Sequence, residues 1–384
     1  MRKISYLDGL RGLAAFVVVF HHFILAFYPA LLLGGNTQAH LVGKNDEFVS
    51  GTLLNLFYNG NFAVCIFFVL SGFVLSHKFF LHRDREILKE SAIKRYLRLV
   101  VPVAFSVLLA FVLMEFSLFY NQQAADLSGS NWLGGFWKFA PNFFDAINQI
   151  FVGAFFTNIF EYNDTLWTIA YEFIGSLLVF GFLALFGKMK RRWIFYVLAS
   201  VILFQTYYWA FILGVMLSDI VANEKKLLSH FDRSKIFRTL LLLIGLFLGS
   251  YPSMRGVEGT IYAPMEQYFL VNSAVFYHIV GAFFVILVLL DSRRMQKIFS
   301  FRYLLFLGEI SFAMYLLHFI VLGSLSSFIF MKIGNNLPYA QAFFVSFTVS
   351  IAFIFIVSFF TYKYVDKKAV YYSKLFYQRF FGKK

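Results

Sequence analysis

The chain has 384 residues, of which 60% are hydrophobic and only 14% are charged, and its formal net charge is +14. A soluble chain is roughly half apolar and about a quarter charged, so this composition excludes an ordinary soluble domain and predicts a polytopic membrane protein. The basic balance would suit a nucleic-acid-binding protein, but no soluble basic domain is present, so we expect no nucleic-acid partner. The single cysteine, Cys65, excludes an intrachain disulfide.

Apolar segments along the chain predict an all-α membrane protein with about ten transmembrane helices. Seven segments have the length of a full span: 10–31, 60–80, 97–119, 166–187, 269–290, 302–323 and 340–363. Three are shorter, at 193–206, 208–222 and 238–251. The aromatic stretch 131–160 contains Pro141 and Asp145, so we interpret it as an external loop with an interfacial or re-entrant piece.

The distribution of basic residues predicts the orientation. With ten spans, 30 of the 34 lysines and arginines fall on one side of the membrane, which the positive-inside rule assigns to the cytoplasm. Both termini then lie in the cytoplasm, and the longest external loops are 32–59 and 120–165. We divide the chain into an integral-membrane domain, residues 1–370, and a basic cytoplasmic C-terminal tail, residues 371–384.

The first span, LDGLRGLAAFVVVFHHF, carries ionisable side chains inside the apolar run. Such groups mark functional sites by default, because removing them from water is expensive. Arg11 and His22 are eleven residues apart, about three helical turns, so they share a face while His21 points about 100° away. A snorkelling arginine would explain Arg11, but His22 lies deep in the span, and imidazole chemistry suits a general base.

Basic residues at the start of the third span predict a site for an anion. Lys94, Arg95 and Arg98 lie within AIKRYLRLVVP at spacings that place them near one helix face. Such cations commonly anchor a span among lipid headgroups. They can equally hold the phosphates of a ligand together with Arg11.

The fourth span, which begins TLWTIAYEF, supplies a buried carboxylate. Trp167 is typical of an interfacial anchor, and Glu172 lies about 8 Å deeper, at a depth similar to that of His22. A carboxylate beside a histidine is a common pairing of a base with the group that orients it, so we predict a His22–Glu172 pair.

Further polar residues in the spans are weaker candidates. Ser71 could hydrogen-bond a ligand, and Tyr315 and His318 are three apart and share a face. A structural role explains each of them equally well. We therefore treat these three and Trp167 only as candidate substrate-lining residues.

Three other features are better explained by a structural role than by a catalytic or metal-binding one. We expect His278 and Asp219, which are isolated in their spans, to be structural, and Gly72 to serve helix packing. His21 and His22 point apart, and no HxxxH or cysteine-rich cluster exists, so we expect no metal site.

Five blocks in order over residues 7–318 resemble the integral-membrane acyltransferase family 3, which includes O-antigen and polysaccharide O-acetyltransferases. The blocks are LDGLRGLAAFVVVFHHF, FFVLSGFVLS, IKRYLRLVVP, LWTIAYEF and LGEISFAMYLLH. The resemblance implies a stand-alone O-acyltransferase of a bacterial cytoplasmic (inner) membrane. It would move an acyl group, usually acetyl, from cytoplasmic acyl-CoA to a hydroxyl of an envelope glycan or related acceptor.

The resemblance also implies roles for residues that match the family's motifs. The family's motif of an arginine and a histidine separated by ten residues maps onto Arg11 and His22. Its arginine-rich third-span motif maps onto Arg95 and Arg98. Its tryptophan-to-glutamate motif maps onto Trp167 and Glu172. The chain departs from the family at Glu309, where a basic residue is common. That departure concerns the electrostatics of the ninth span on the donor side.

Two mechanisms follow for an enzyme of this kind. Acyl-CoA would place its phosphates on the basic residues Arg11, Lys94, Arg95 and Arg98 and its thioester near His22. His22, oriented by Glu172, would either deprotonate the acceptor hydroxyl or carry the acyl group itself.

Other classes of protein also fit parts of the pattern. A proton-coupled transporter or flippase of a lipid-linked or anionic envelope precursor is one alternative, because buried histidine and glutamate also form proton relays. We find no paired glycine- or proline-interrupted spans to favour it. In a scaffold or sensor subunit, Arg11 and His22 would be structural. The acceptor, the acyl chain length and the oligomeric state stay open.

Overall fold

A computed structural model of the protein describes residues 4–35, 37–223, 235–266 and 272–382. The structure is 80% helical, and the described residues contain no β-strand. The longer helices are α1 (Ser5–Phe27), α2 (Gly60–His82), α3 (Glu86–Glu115), α4 (Trp167–Phe186), α5 (Trp193–Ile202), α6 (Tyr207–Asn223), α7 (Lys235–Gly249), α8 (Ser273–Asp291), α9 (Arg302–Val321), α10 (Tyr339–Thr361) and α11 (Lys367–Phe381).

Shorter helical segments connect these helices. The α-helical ones are Ala30–Leu33, Asp46–Ser50, Asn121–Ser128, Phe143–Asn148, Ala263–Glu266, Arg293–Phe299 and Ser327–Ile333. The 3₁₀ segments are Val42–Lys44, Leu53–Tyr58, Leu133–Gly135 and Asp164–Leu166. Wider π-type turns occur at Gln149–Thr157, Leu322–Ser326 and Tyr362–Asp366.

Seven helical stretches of the described chain are long and apolar enough to cross a membrane. They are Ser5–Phe27, Gly60–His82, Glu86–Glu115, Asp164–Phe186, Ser273–Asp291, Arg302–Ile333 and Tyr339–Phe381, and each corresponds to a full-length span predicted from the sequence. The predicted span 269–290 begins outside the described residues. The chain is therefore an integral membrane protein, as its composition predicted.

The three shorter predicted segments are also helical, as α5, α6 and α7, but none has more than 17 described residues. Helix α5 has 10 residues, which is about 15 Å of rise against a hydrocarbon core of about 30 Å. The aromatic stretch 131–160 contains a short apolar helical piece, Phe143–Thr157, packed against α3 and α4. The count of ten spans thus stays a prediction.

Glycines bring pairs of helices into backbone contact. A Cβ atom on Gly12 of α1 would lie 2.3 Å from the backbone nitrogen of Gly308 of α9, and one on Gly308 would lie 2.2 Å from the Asp8 carbonyl oxygen. On α2, a Cβ at Gly72 would lie 2.1 Å from the Phe211 carbonyl oxygen of α6. Small residues permit such approach in membranes, so the packing role predicted for Gly72 is confirmed.

The same contacts give the direction of the helices around the site. Helices α1 and α9 run parallel, since Gly12 meets Gly308 near their starts and His22 meets His318 further along. We call the end of the bundle where α1 and α9 start the basic end. Helix α11 packs against α3 and passes position 370 without a break, so the domain boundary placed there stays a prediction.

Candidate functional site

Helices α1 and α9 bring two buried histidines together. Nε2 of His318 lies 2.9 Å from Nδ1 of His22. Nδ1 of His22 is also 3.0 Å from the Val18 carbonyl oxygen, and Nδ1 of His318 is 3.1 Å from that of Met314. His318 is fully buried and His22 is half-buried. We call His22 and His318 the histidine pair.

The histidine pair is covered by aromatic rings from the segment between α3 and α4. The Trp132 ring stacks on His22 with centroids 5.5 Å apart and planes 17° apart. Phe319 of α9 lies edge-on to both rings. Trp132 was missed among the sequence candidates, because only the aromatic richness of the stretch 131–160 pointed to it.

His21 occupies a different environment from its neighbour. Its Nδ1 lies 2.8 Å from the Tyr58 carbonyl oxygen and 3.2 Å from the Gly60 backbone nitrogen, and its ring packs against Gly60. His21 therefore fastens the start of α2 to α1. The two adjacent rings nevertheless lie edge to face with their centroids 5.2 Å apart, closer than the helical period predicted, although they bond different partners.

Glu172 belongs to a separate cluster on α2, α3 and α4. Its Oε1 accepts a 2.8 Å hydrogen bond from Ser71 Oγ and pairs with the Arg95 guanidinium, whose Nε donates to Ser176 Oγ at 3.0 Å. We call Ser71, Arg95, Glu172 and Ser176 the ion-pair site. Ser71, predicted as a substrate-lining candidate, binds a protein carboxylate here.

The predicted His22–Glu172 pair is therefore replaced by two other pairings. No hydrogen bond between these two side chains occurs in the part of the chain that the structure describes. The physical reason is that α3 turns the Arg95 guanidinium into the bundle, and a carboxylate in a membrane interior is stabilised far more by a cation than by a neutral imidazole. The side chain within hydrogen-bond distance of the His22 ring is that of His318.

The cations predicted to bind acyl-CoA fall into two groups. Arg95 is buried and engaged with Glu172 and Ser176, and Lys94 pairs with Glu90 at 2.5 Å. Both of these charges are already balanced by carboxylates of the protein. The structure thus separates residues that the sequence placed on one basic face.

Arg98 and Arg11 form the other group. The Arg98 side chain is exposed, yet the charges of Arg11, Arg95, Glu172 and Asp366 all act on its guanidinium. Arg11 pairs with Asp8, reaches towards the Gly308 carbonyl oxygen at 3.5 Å and keeps 39% of its side chain exposed. These two arginines are thus accessible cations near the basic end.

The remaining candidates connect helices. The Tyr315 hydroxyl lies 2.8 Å from Thr168 Oγ1 and donates to the Thr165 carbonyl oxygen at 3.3 Å, which ties α9 to the start of α4. Its ring also lies 5.8 Å from that of His318. Trp167 packs on Tyr171 with centroids 5.8 Å apart, and among the described residues its ring makes no aromatic contact with the histidine pair.

Asp219 and His278, predicted as structural, have well-defined partners. Asp219 accepts hydrogen bonds from Arg192 at 2.5 and 2.9 Å and from Tyr196 at 3.0 Å. Nδ1 of His278 lies 2.7 Å from Asn61 Nδ2. Within the described ranges, no group of three or more His, Cys, Asp or Glu side chains is placed to hold a metal ion.

Comparison with known proteins indicates which class of reaction this chain catalyses. A family model described as an acyltransferase domain matches residues 4–363. The O-acetyltransferase PaAT-1 of Phomopsis amygdali is 25% identical over an alignment of 430 positions, gaps included, which covers 99% of this chain and 85% of that protein. The acyltransferase clz18 of Cochliobolus lunatus is 24% identical, over 91% of this chain and 90% of its own. No solved structure gives a significant match.

Proposed function

Because this chain belongs to the acyltransferase 3 family and is an acyltransferase, we propose that it moves an acetyl group from acetyl-CoA to a hydroxyl acceptor. The observation that carries the proposal is the histidine pair, which places an imidazole deep in a membrane bundle. Ionisable residues in that position are expensive to bury and mark chemistry by default. Family membership does not favour the transporter alternative.

We propose that the basic end faces the cytoplasm, with ten crossings and both termini on that side. Several basic residues at helix ends support a single positive end: Arg83 donates to the Gly187 carbonyl oxygen at 2.6 Å, and Arg238 pairs with Asp291 at 2.9 Å. The positive-inside rule assigns such an end to the cytoplasm, where acyl-CoA is found.

Arg11 and Arg98 are the proposed partners of the donor's phosphates. Both are accessible, and arginine binds phosphate with two parallel hydrogen bonds. Lys94 lies at the edge of this region and remains paired with Glu90. Arg95 and Glu172 hold α3 against α4 and thereby position Arg98 without contacting the donor.

His22 is the proposed base. Its Nε2 takes the proton of the acceptor hydroxyl while the hydroxyl oxygen attacks the thioester carbonyl carbon. The carbon–sulfur bond then breaks, and the CoA thiolate leaves and regains the proton. A general base typically contributes about 10²- to 10⁴-fold in rate. In the second version His22 Nε2 is itself acylated and passes the group on.

For the acceptor we propose a hydroxyl of an envelope glycan or a related compound. The names of the two relatives describe an O-acetyl or acyl transfer and give no acceptor, and both organisms are fungi. These relatives lend no support to a bacterial inner membrane. The proposal therefore specifies a cellular membrane whose cytoplasmic face carries Arg11 and Arg98.

The test measures transfer of isotopically labelled acetyl-CoA in membrane vesicles that contain the protein. We expect transfer by the wild type and by His82→Ala, an exposed histidine at the end of α2, and loss of transfer in a folded His22→Ala variant. Full transfer by His22→Ala would overturn both versions. A labelled protein trapped during turnover would establish the acyl-His22 version over direct transfer.

A further inference from the structure

The surroundings of the histidine pair define where its protons lie. A carbonyl oxygen can only accept a hydrogen bond, so a ring nitrogen that faces one must carry a proton. Nδ1 of His22 faces the Val18 carbonyl oxygen at 3.0 Å, and Nδ1 of His318 faces that of Met314 at 3.1 Å. Both rings are therefore protonated at Nδ1 when neutral.

This assignment decides the direction of the bond between the two rings. A neutral His318 protonated at Nδ1 has a lone pair at Nε2, and that atom lies 2.9 Å from Nδ1 of His22. The proton on His22 Nδ1 is then shared between the Val18 carbonyl oxygen and His318 Nε2. If His318 Nε2 instead donated to His22 Nδ1, the Nδ1 atom of each ring would carry a lone pair that faces a carbonyl oxygen. The lone pair and the carbonyl oxygen would repel each other in both rings.

Nε2 of His22 is left as the ring nitrogen with a free lone pair. Within the described residues, Nε2 of His22 has no hydrogen-bond partner. We propose that His318 is a positioning residue: it holds His22 in the tautomer whose Nε2 is the base, and it accepts the hydrogen bond that stabilises the imidazolium after proton transfer. The inference rests on the proposed role of His22.

The membrane interior makes this second role necessary. When His22 Nε2 takes the proton of the acceptor hydroxyl, a positive charge appears on a half-buried ring inside the bundle, where water solvates it less well than in bulk solvent. The Nδ1–H bond to His318 Nε2 becomes charge-assisted and therefore stronger. The face of Trp132, stacked at 5.5 Å, attracts the same charge. His318 itself neither contacts the acyl group nor changes its own bonds.

Two variants separate the role of His318 as a hydrogen-bond acceptor from a role in packing. His318→Gln keeps an oxygen that can accept a hydrogen bond from His22 Nδ1, whereas His318→Leu has a similar volume and no hydrogen-bond acceptor. In vesicles with labelled acetyl-CoA, we expect the maximal rate of His318→Leu to fall roughly 10²-fold, within the contribution of a general base. The rate of His318→Gln should stay within about tenfold of the wild type. The KM for acetyl-CoA should be unchanged in both.

A spectroscopic measurement tests the tautomer directly. In protein labelled with ¹⁵N in its histidine rings, the His22 signals are those lost in His22→Gln. We expect one protonated nitrogen, Nδ1, and one unprotonated nitrogen, Nε2, in the wild type, and a mixture of the two tautomers in His318→Leu. A His22 protonated at Nε2 in the wild type would overturn the inference.

The outcomes also separate this inference from the proposed function. If His22→Ala is inactive and His318→Leu turns over like the wild type, His318 has no positioning role and the base assignment stands. If His318→Gln and His318→Leu lose activity equally, His318 acts through packing alone. Activity in His22→Ala would instead remove the proposed function itself.

Discussion

The histidine pair and the ion-pair site bury ionisable side chains in the same bundle, and they differ in how many of the hydrogen-bonding atoms of those side chains have a partner. At the ion-pair site, Glu172 is bonded by Ser71 and Arg95, and Arg95 also bonds Ser176. In the histidine pair, His22 keeps one ring nitrogen without a partner among the described residues. A satisfied cluster fastens helices, whereas an open lone pair can react.

The two sites also depend differently on helix packing. The histidine pair needs α1 and α9 to be nearly in backbone contact, which Gly12 and Gly308 permit. The ion-pair site needs no such approach, because the long Arg95 side chain reaches Glu172 across the gap between α3 and α4. Proton transfer demands accurate placement of short side chains, and a structural ion pair tolerates a longer reach.

The largest expected effect is on thermal stability, and it follows from breaking the ion-pair site. Glu172→Gln leaves the Arg95 guanidinium, only 8% exposed, without a counter-charge. Removing one partner of a buried pair costs about 3–5 kcal/mol. We expect a clearly lowered thermal unfolding midpoint in detergent, largely restored in the double variant Arg95→Met/Glu172→Gln.

His22→Gln is the matched control from the other site, since it exchanges one neutral side chain for another. It should abolish transfer while the unfolding midpoint stays close to that of the wild type. If Glu172→Gln left the midpoint unchanged and removed transfer, Glu172 would belong to the chemistry, as the sequence first predicted.

The sequence predicted the helical framework well, because the length of an apolar run is a direct consequence of membrane thickness. It also predicted that Arg11 and His22 share a face: Arg11 approaches Gly308 and His22 contacts His318, both on α9. The period of a helix is a local property, so one chain segment suffices to read it.

Pairings between helices could not be predicted in the same way. Glu172 and His22 lie at similar predicted depths, but depth leaves open which helices are neighbours and how each is rotated. Only the packed structure shows Arg95 turned towards Glu172. Trp132 comes from a non-periodic segment between α3 and α4, where no spacing rule indicates the direction of a side chain.

A second prediction contrasts two cations of α3: Arg98, which has no ion-paired partner within hydrogen-bond distance among the described residues, and Lys94, which pairs with Glu90. Arg98 is exposed and accessible, and a hydrogen bond to a charged group contributes about 1.5–3 kcal/mol. We therefore expect Arg98→Gln to raise the KM for acetyl-CoA about 10- to 100-fold with little change in the maximal rate.

Lys94→Gln is the control for Arg98→Gln, because Lys94 is already paired with Glu90. It should change the KM by no more than about threefold, in line with the small contribution of a partly exposed ion pair. Equal effects of the two variants would mean that the basic face acts as a whole, through its net charge.

The smallest expected effect tests the aromatic cover of the histidine pair. Trp132 stacks on His22 with planes 17° apart, so its face lies where the imidazolium charge appears. A cation over an aromatic face gains about 0.5–1 kcal/mol at partly exposed positions, most for tryptophan. We expect Trp132→Leu to lower the maximal rate about two- to fivefold. Trp132→Phe should lie between Leu and the wild type, because a weaker aromatic face remains; identical rates for Phe and Leu would show that only the bulk of Trp132 matters.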